Sequence, residues 1–456
     1  MKQAAGEAFK HDPASTHGRP LVAIVGRPNV GKSSLFNRLA ATRNAIVEDT
    51  PGVTRDRLYA PAEALGHGYL LVDTGGFDPG AGDPLFESIA EQVELAVSEA
   101  SLVICVLDSR TGATAADREA IALLRRSTRP VIYAANKVDT PAQSGAALDL
   151  YRFGMPEVVA VSALHGHGLG EIEEAIARAL PERAPAPSEQ AVPGPAVAVV
   201  GRPNAGKSSL VNRLLGQPRQ IVDARPGTTV DSVDTPLVWG DRRYLLTDTA
   251  GMRRRRAVKE PVEAISILHA LRAIERSHAV VLVVDAERGA AEQDAKIAGF
   301  ALERGRAIVI ALNKIDAVER AAGKQLEQRT REVLGFMSFA PLQRISALEG
   351  SGVGGLMNLV AAVVQNHQKR VATAELNRFF EQVLQKHPPP TRRGRPVRIY
   401  YVSQVRTRPP TFVASTNRPD LVHFSYRRYV VNQLRARFGF EGTPIRVLYR
   451  KRGRRK

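Results

Sequence analysis

Two octapeptides decide the fold of this chain: Gly26-Arg27-Pro28-Asn29-Val30-Gly31-Lys32-Ser33 and Gly201-Arg202-Pro203-Asn204-Ala205-Gly206-Lys207-Ser208. Each follows an apolar run that predicts a buried strand, and each leads into a segment that predicts a helix. In this context the backbone N–H groups and the helix N-terminus cradle phosphate oxygens, the lysine bridges the terminal phosphates and the serine hydroxyl meets Mg²⁺. Two such loops predict two nucleotide-binding domains.

The similarity between the two parts of the chain extends far beyond these loops. A separation of 175 residues is shared by three pairs: Lys32 and Lys207, Thr54 and Thr229, and Asp73 and Asp248. It grows to 184 residues between Ser162 and Ser346, as small loop insertions produce. An internal repeat of this length predicts a duplicated domain. We call its copies the first repeat (residues 19–182) and the second repeat (residues 195–368).

Two further motifs in each repeat are those of a nucleotide-dependent switch. Asp73-Thr74-Gly75-Gly76 and Asp248-Thr249-Ala250-Gly251 end predicted strands. A carboxylate at that point can hold Mg²⁺ through water, and the last glycine can offer its N–H to the γ-phosphate. Thr54 and Thr229 each follow a Pro-Gly-X turn, and we expect them to be the mobile threonines that sense Mg²⁺ and the γ-phosphate.

A third motif predicts the choice of base. It occurs as Asn136-Lys137-Val138-Asp139 and as Asn313-Lys314-Ile315-Asp316, each after an apolar strand. The carboxylate can accept hydrogen bonds from N1–H and the 2-amino group of guanine, whereas adenine would leave it unpaired at a high cost. Ser162-Ala163-Leu164 and Ser346-Ala347-Leu348 can pack on the base from the other side. Any of these motifs alone is commonly a turn or a helix cap, but their fixed order, found twice, favours GTP.

The predicted GTP-binding residues follow from these motifs. In the first repeat they are Gly26, Arg27, Pro28, Asn29, Val30, Gly31, Lys32, Ser33, Ser34, Asp73, Thr74, Gly75, Gly76, Phe77, Asn136, Lys137, Asp139, Ser162 and Ala163. In the second they are Gly201, Arg202, Pro203, Asn204, Ala205, Gly206, Lys207, Ser208, Ser209, Asp248, Thr249, Ala250, Gly251, Met252, Asn313, Lys314, Asp316, Ser346 and Ala347.

Catalytic and metal-binding roles are predicted for a subset of these residues and for the two switch threonines. The predicted catalytic residues are Lys32, Thr54, Asp73, Gly76, Lys207, Thr229, Asp248 and Gly251. The predicted Mg²⁺ ligands are Ser33, Thr54, Asp73, Ser208, Thr229 and Asp248.

Composition places limits on the compartment. The only cysteine is Cys105, in an apolar strand, so no disulfide can form within the chain, and a reducing cytoplasm is expected. The apolar stretches have the length of strands and are far shorter than a membrane span. The first 18 residues lack the apolar core of a signal peptide, and we expect a disordered arm.

The chain of 456 residues predicts about three domains. Alternating strands and helices predict an α/β fold for each repeat, with a mainly parallel sheet covered by helices on both faces. The proline-rich residues 183–194 predict a linker. Residues 369–450 predict a compact α+β module, followed by a basic tail at 451–456.

The net charge of +18 is concentrated at the C-terminus. Residues 371–456 contain 20 Lys and Arg against four Asp and Glu, so nearly all of the excess lies in the last fifth of the chain. Charge concentrated in this way indicates a nucleic-acid partner. For the tail, the alternative is a disordered end that only improves solubility.

From about residue 20 to 450 the chain resembles the Der/EngA family of bacterial tandem GTPases. The resemblance is carried by the two octapeptides and by three C-terminal segments: Ile399-Tyr400-Tyr401-Val402-Ser403-Gln404, Arg408-Pro409-Pro410-Thr411-Phe412 and Gly439-Phe440-Glu441-Gly442-Thr443-Pro444-Ile445-Arg446. It implies two Era-like GTPase domains and a C-terminal KH-like domain. It also implies a cytoplasmic role in assembling the large ribosomal subunit, with rRNA as the partner, and we expect a monomer.

The resemblance also sharpens the expected mechanism. Many switch GTPases have a glutamine after Asp-X-X-Gly to orient the attacking water, but here the positions hold Phe77 and Met252, so slow intrinsic hydrolysis is predicted. Related GTPases use a K⁺ ion in place of an arginine finger. The ligand in those relatives is the P-loop asparagine, which implies Asn29 and Asn204 here. The alternative role for both asparagines is that of a turn residue.

Three points stay open at this level. Residues 439–442 resemble the Gly-X-X-Gly clamp of KH domains, but they join a helix to a strand, so clamping of RNA there is doubtful, and the KH-like domain either binds protein or uses another face. The arginines at 253–256 form either a solvated loop or an RNA contact. A constitutive RNA-binding scaffold with structural nucleotide is the alternative to a GTP-hydrolysing assembly factor. A tRNA-modifying GTPase is disfavoured because its C-terminal cysteine is absent.

Overall fold

The computed structural model describes residues 19–41, 59–74, 89–140, 149–180, 194–216, 234–247, 263–319, 323–389 and 396–451. They fall into two compact units, one made of residues 17–190 and 260–272 and the other mainly of residues 191–259 and 273–456. The predictions of a disordered arm, of most of the linker and of most of the basic tail lie outside the described residues. Among the described residues, no helix combines the length and the apolarity that crossing a bilayer requires.

The first repeat is built around one sheet. Within its described residues, six strands have the order β2-β3-β1-β4-β5-β6, and all neighbours are parallel except β2 and β3. The strands are β1 (Leu21–Val25), β2 (Tyr59–Ala64), β3 (His67–Asp73), β4 (Leu102–Asp108), β5 (Val131–Asn136) and β6 (Val158–Ala160). The helices are α1 (Lys32–Ala41), α2 (Ile89–Glu99), α3 (Ala115–Arg126) and α4 (Leu169–Ala179).

The sequence of the central strands explains why they lie in the middle of the sheet. Every residue of β1 and β4 is buried, as expected for continuous apolar runs in a parallel sheet covered on both faces. Cys105 lies within β4 and is 1% exposed, so it is a small residue of the core. Because all the parallel strands run in one direction, their carboxyl ends lie at one edge, where ligands bind in such folds.

The second repeat has the same architecture. Its described strands have the order β12-β11-β10-β7-β9-β8, and only β8 and β9 are antiparallel. The strands are β7 (Ala196–Val200), β8 (Thr235–Trp239), β9 (Arg242–Thr247), β10 (Ala279–Asp285), β11 (Ala307–Asn313) and β12 (Leu342–Arg344). The helices are α5 (Lys207–Leu215), α6 (Glu263–Arg276), α7 (Glu292–Glu303), α8 (Gly323–Val333) and α9 (Val353–Gln368).

The C-terminal module is the predicted α+β structure. Its elements are α10 (Thr373–Lys386), β13 (Ile399–Arg406), β14 (Thr411–Thr416), α11 (Phe424–Phe438) and β15 (Arg446–Lys451). The strand β14 lies between an antiparallel β13 and a parallel β15. Phe380 of α10 and Leu434 of α11 share a core with Phe412 and Val447 of the sheet. The fold class predicted for the whole chain is confirmed.

The C-terminal module docks on the second repeat at the start of β11. The Ile308 N–H donates to the Gly442 carbonyl (2.7 Å), and the Gly442 N–H donates to the Phe339 carbonyl (2.8 Å). Gly442 has a φ of +70°, and a Cβ added to it would lie 2.1 Å from Cγ1 of Val363, so only glycine fits. Residues 439–442, which resemble an RNA clamp, therefore include a docking point between two domains.

Candidate active sites

Each phosphate-binding loop begins with a glycine that no other residue can replace. Gly26 has a φ of +147°, and an added Cβ would lie 2.5 Å from the Val106 carbonyl oxygen. A Cβ added to Gly201 would lie 2.2 Å from the Val283 carbonyl oxygen. Both loops therefore turn tightly against the neighbouring strand, which leaves their later N–H groups at the carboxyl edge of the sheet.

The loop lysines lie across their own loops. The Lys32 ammonium donates to the Gly26 carbonyl (2.7 Å) and the Arg27 carbonyl (2.9 Å), and the Lys207 ammonium donates to the Arg202 carbonyl (2.5 Å). Lys32 is 7% exposed; its burial lowers the pKa of the ammonium, and the nearby Asp73 carboxylate partly opposes that effect. Both ammonium groups thus lie beside the backbone that would bind phosphates.

The predicted magnesium ligands of the first repeat lie together. The Ser33 hydroxyl donates to Oδ2 of Asp73 at 2.8 Å, and the next residue, Thr74, fixes the end of β3 by donating to the Ile24 carbonyl (2.7 Å). Hydroxyl and carboxylate oxygens are ligands that suit Mg²⁺, so this pair fits the ion. In the second repeat Ser208 is exposed at the start of α5.

The predicted base-binding asparagines connect two loops. Nδ2 of Asn136 donates to the Val30 carbonyl (2.7 Å), and its Oδ1 accepts from the Ala163 N–H (2.9 Å). A Cβ on Gly31 would lie 2.2 Å from that Nδ2, so the phosphate loop and the asparagine are in close contact. The second repeat has the same bonds, at 2.8 and 2.9 Å, through Asn313, Ala205 and Ala347.

The specificity carboxylates differ between the repeats. Oδ1 of Asp139 accepts a 2.6 Å hydrogen bond from the Ser162 hydroxyl, and Oδ2 contacts the Arg110 guanidinium. The Ser162 hydrogen bond, more than the charge of Arg110, lowers the pKa of Asp139 and keeps it ionised, as guanine recognition needs. Asp316 is exposed and makes no side-chain hydrogen bond within the described part of the chain.

The lysines of the same motif are tied to the preceding strands. Nζ of Lys137 lies 2.7 Å from Oδ2 of Asp108, and Nζ of Lys314 lies 2.6 Å from Oδ2 of Asp285. Burial alone would raise the pKa of Asp108, but the Lys137 and Arg110 hydrogen bonds lower it overall. Lys137 and Lys314 have φ values of +71° and +69°, so both turns have the same left-handed backbone.

One pair of arginines beside the site was not predicted. Arg38 in α1 donates through Nε to the Ala163 carbonyl (3.1 Å) and through Nη2 to the Leu164 carbonyl (2.5 Å). Arg213 in α5 makes the same two contacts, with the Ala347 carbonyl (3.2 Å) and with the Leu348 carbonyl. These arginines are positioning residues for the base loops. Arg38 and Arg213 are 175 residues apart, as the loop lysines are, and this shared spacing could have identified them in the sequence.

Arg27 and Arg202, predicted as GTP-binding residues, pair through their guanidinium groups with carboxylates of α3 and α7. Nε of Arg27 lies 3.2 Å from Oδ2 of Asp117, and Nε of Arg202 lies 2.7 Å from Oδ2 of Asp294. Asp117 also accepts from the N–H and the hydroxyl of Thr114, which begins α3. These side chains therefore brace the loops, and only their backbone is left for a nucleotide.

The two predicted potassium ligands lie among the described residues, whereas ten other predicted site residues do not. Asn29 and Asn204 have φ values of +65° and +61°, are exposed on their loops and serve as turn residues, whether or not they also bind an ion. The predictions for Thr54, Gly75, Gly76, Phe77, Thr229, Asp248, Thr249, Ala250, Gly251 and Met252 lie outside the described residues. The arginines at 253–256 lie outside them as well.

Known proteins match both repeats and the C-terminal module. A family model described as a 50S ribosome-binding GTPase matches residues 21–137 and 196–314. A model described as the C-terminal KH-domain-like region of EngA bacterial GTPase enzymes matches residues 370–450.

Curated relatives match almost the whole chain. GTPase Der of Moorella thermoacetica is 49% identical over 96% of this chain and 99% of its own length. GTPase Der of Geotalea daltonii is 46% identical over the same shares of the two chains. The chain belongs to the Der/EngA family. As a member of that family it is a GTPase, with two GTP-binding domains and a C-terminal KH-like domain.

Proposed function

We propose that this GTPase acts in the assembly of the large ribosomal subunit in the cytoplasm. Three observations support this proposal. The matching family model is described as a ribosome-binding GTPase, and cationic residues are concentrated after residue 370. The single cysteine is buried, which suits a reducing cytoplasm. In this proposal the two nucleotide sites control how the KH-like domain is presented to rRNA. GTP binding favours one arrangement of the domains, and hydrolysis releases the particle.

Such coupling is best supported by the position of one strand, β11, which connects the docking point to the base site. β11 begins beside Ile308, whose N–H bonds Gly442 of the KH-like domain, and it ends at Asn313 in the base site of the second repeat. All seven of its residues are buried, so the strand is held on both faces. A change at the base site therefore has a short and rigid route to the docked KH-like domain.

The residue roles of the site follow the same proposal. Ser33 and Asp73 would hold Mg²⁺ in the first repeat and Ser208 and Asp248 in the second, with Thr54 and Thr229 as further ligands in the GTP-bound state. A bound Mg²⁺ neutralises charge that develops on the phosphates. Lys32 and Lys207 hold the terminal phosphates, Gly76 and Gly251 donate to them, and Asp139 and Asp316 select guanine.

Potassium is proposed as an activator. The left-handed turns at Asn29 and Asn204 leave both asparagine side chains exposed at the phosphate loop, where an amide oxygen can serve as a cation ligand. Since Phe77 and Met252 cannot orient a water molecule, a cation is the group that could compensate for the missing glutamine.

Co-sedimentation with large ribosomal subunits at fixed salt tests the main proposal. Salt is fixed because phosphate-driven binding weakens steeply as salt rises. We expect binding with a non-hydrolysable GTP analogue and at least tenfold weaker binding with GDP, with small subunits as the matched control. Equal binding in both nucleotide states would instead support the constitutive RNA-binding scaffold. No binding in either state would exclude both functions.

A further inference from the structure

The region that resembles an RNA clamp is occupied by contacts within the protein. Besides the backbone bonds of Gly442, the Arg435 guanidinium donates to the carbonyls of Phe440 and Thr443 (3.0 Å for the latter) and stacks 4.3 Å from the ring centroid of Phe339. Phe440 is fully buried. An RNA backbone cannot use these groups while the KH-like domain is docked on the second repeat, so RNA that binds the docked domain has to use another surface.

The sheet of the KH-like domain has one face that its helices do not cover. Residues paired across neighbouring strands share a face. Tyr401 pairs with Ser415, which pairs with Arg450, and all three are at least partly exposed. The next row on this face consists of Ser403, Val413 and Leu448, which are partly exposed too.

The alternate rows confirm which face is covered. Val402 pairs with Ala414, and Phe412 pairs with Val447, and all four are buried against α10 and α11. We call the other side, defined by Tyr401, Ser403, Val413, Ser415, Leu448 and Arg450, the open face. Tyr401 is 49% exposed, a large value for an aromatic side chain in the middle of a domain.

The three strands that form the open face carry only positive charge. β13, β14 and β15 contain no Asp or Glu, whereas Arg406, Arg450 and Lys451 lie at strand ends. An exposed aromatic ring on a sheet, with cations at the strand ends and no carboxylate within the three strands, matches a single-stranded nucleic acid. Bases stack on the ring, and the phosphates lie near the cations. An acidic protein surface would match the cations but would have no need of the exposed ring.

We propose that the open face binds single-stranded RNA, with Tyr401 stacking on a base and Arg450 contacting a phosphate. This inference rests on the proposed function, because it assigns a surface to the RNA partner assumed there. It differs from the use of the Gly-X-X-Gly clamp, which the docking on the second repeat prevents.

The test is the affinity of the full chain for a labelled oligouridylate of about twelve nucleotides, a length that an open single-strand site can accept. Tyr401→Ala should weaken binding by about tenfold, the loss of one stacked base, whereas Tyr401→Phe should retain it. The matched control is Phe424→Ala, because Phe424 is 66% exposed but lies at the start of α11, on the helical side.

Arginines provide a second matched pair. Arg450→Ala should reduce both the affinity and its dependence on salt, because it removes one phosphate contact, whereas Arg437→Ala on α11 should leave both unchanged. Equal losses for Tyr401→Ala and Phe424→Ala would contradict the open-face proposal and leave the proposed function standing. If Tyr401→Ala loses ribosome co-sedimentation but keeps its oligouridylate binding, the open face would instead be assigned to a ribosomal protein. An unmodified chain that binds no RNA would refute the RNA partner itself.

Discussion

The two repeats have the same framework and differ at the rim of the base site. Asn136 and Asn313 make the same pair of bonds, and Arg38 and Arg213 hold the same loop carbonyls. In contrast, the rim position two residues after β4 is Arg110, which contacts Asp139, and the equivalent position after β10 is Glu287. The framework is common to both repeats, whereas the rim differs, and we expect the rim to set any difference in nucleotide affinity between the two sites.

The repeats also differ at the opposite end of the sheet. His278 precedes β10 and accepts from the Ala196 N–H through Nδ1 (3.0 Å), whereas Ser101 holds the equivalent position before β4. The second repeat and the KH-like domain lie in the same compact unit, and the KH-like domain docks on the second repeat there. The second repeat is thus a nucleotide site joined to a docking site.

The largest effect is expected from removing one loop lysine at a time. Lys32→Ala or Lys207→Ala should each weaken nucleotide binding at its own site by more than about a hundredfold, since a buried charge contact to phosphate is lost. Calorimetric titration with GDP should then show one site per chain in place of two. Loss of both sites with a single substitution would contradict the independence of the two frameworks.

These single-site variants make the specificity test clean. In the background that leaves one site active, Asp139→Asn or Asp316→Asn should lower GDP affinity by about a hundredfold and remove discrimination against xanthosine diphosphate. Asp139→Asn should in addition lower the melting temperature slightly, because it also disturbs the Ser162 and Arg110 contacts. Unchanged guanine selectivity in either variant would exclude that carboxylate as the base ligand.

The frameworks could be predicted from the sequence, because their residues follow strands directly. Ser33 and Asp73 lie together since β1 and β3 are neighbouring parallel strands, and the octapeptide and the Asp-X-X-Gly motif mark their ends. The role of residues 439–442 could not be predicted. The partners of Gly442, Ile308 and Phe339, lie 134 and 103 residues before it, and nothing local in the sequence indicates that pairing.

Acid should act on the second repeat and spare the first. Burial, together with the charges of the nearby Arg306 and Arg408, lowers the pKa of His278 to about 4 and that of His367 to about 3. His367 also meets the Thr443 hydroxyl at 2.5 Å. Because both pKa values are below the ordinary 6.5, the neutral histidines stabilise the docked state fully above pH 6.5, and this stability is lost as pH falls from 6.5 toward 4.

Hydrogen exchange measures this effect. Between pH 7.5 and 5.5 each histidine should remove about 1.4 kcal/mol of stability, or about a tenfold rise in the opening equilibrium. The Ile308 and Gly442 amides should therefore lose protection, after correction for intrinsic exchange, while the Ile132 amide in β5 should keep it. Equal changes at all three amides would indicate general acid unfolding, and His367→Asn should reduce the pH dependence of the first two.

The smallest effect concerns the rim. Guanine and Arg110 compete for the Asp139 carboxylate, so Arg110→Glu should raise GDP affinity at the first site by about threefold, the scale of an exposed ion pair. The reverse change, Glu287→Arg, places a cation beside the base motif of the second repeat. It should lower GDP affinity at the second site by about the same factor.

Each rim substitution is measured in the single-site background with a fluorescent GDP analogue at two salt concentrations. The differences in GDP affinity should shrink at high salt, because salt weakens the interaction between exposed charges. A salt-independent gain for Arg110→Glu would mean that the arginine acts by blocking space at the site. A loss of affinity would mean that Arg110 supports the bound nucleotide, and the difference between the repeats would then lie in how each site holds its base.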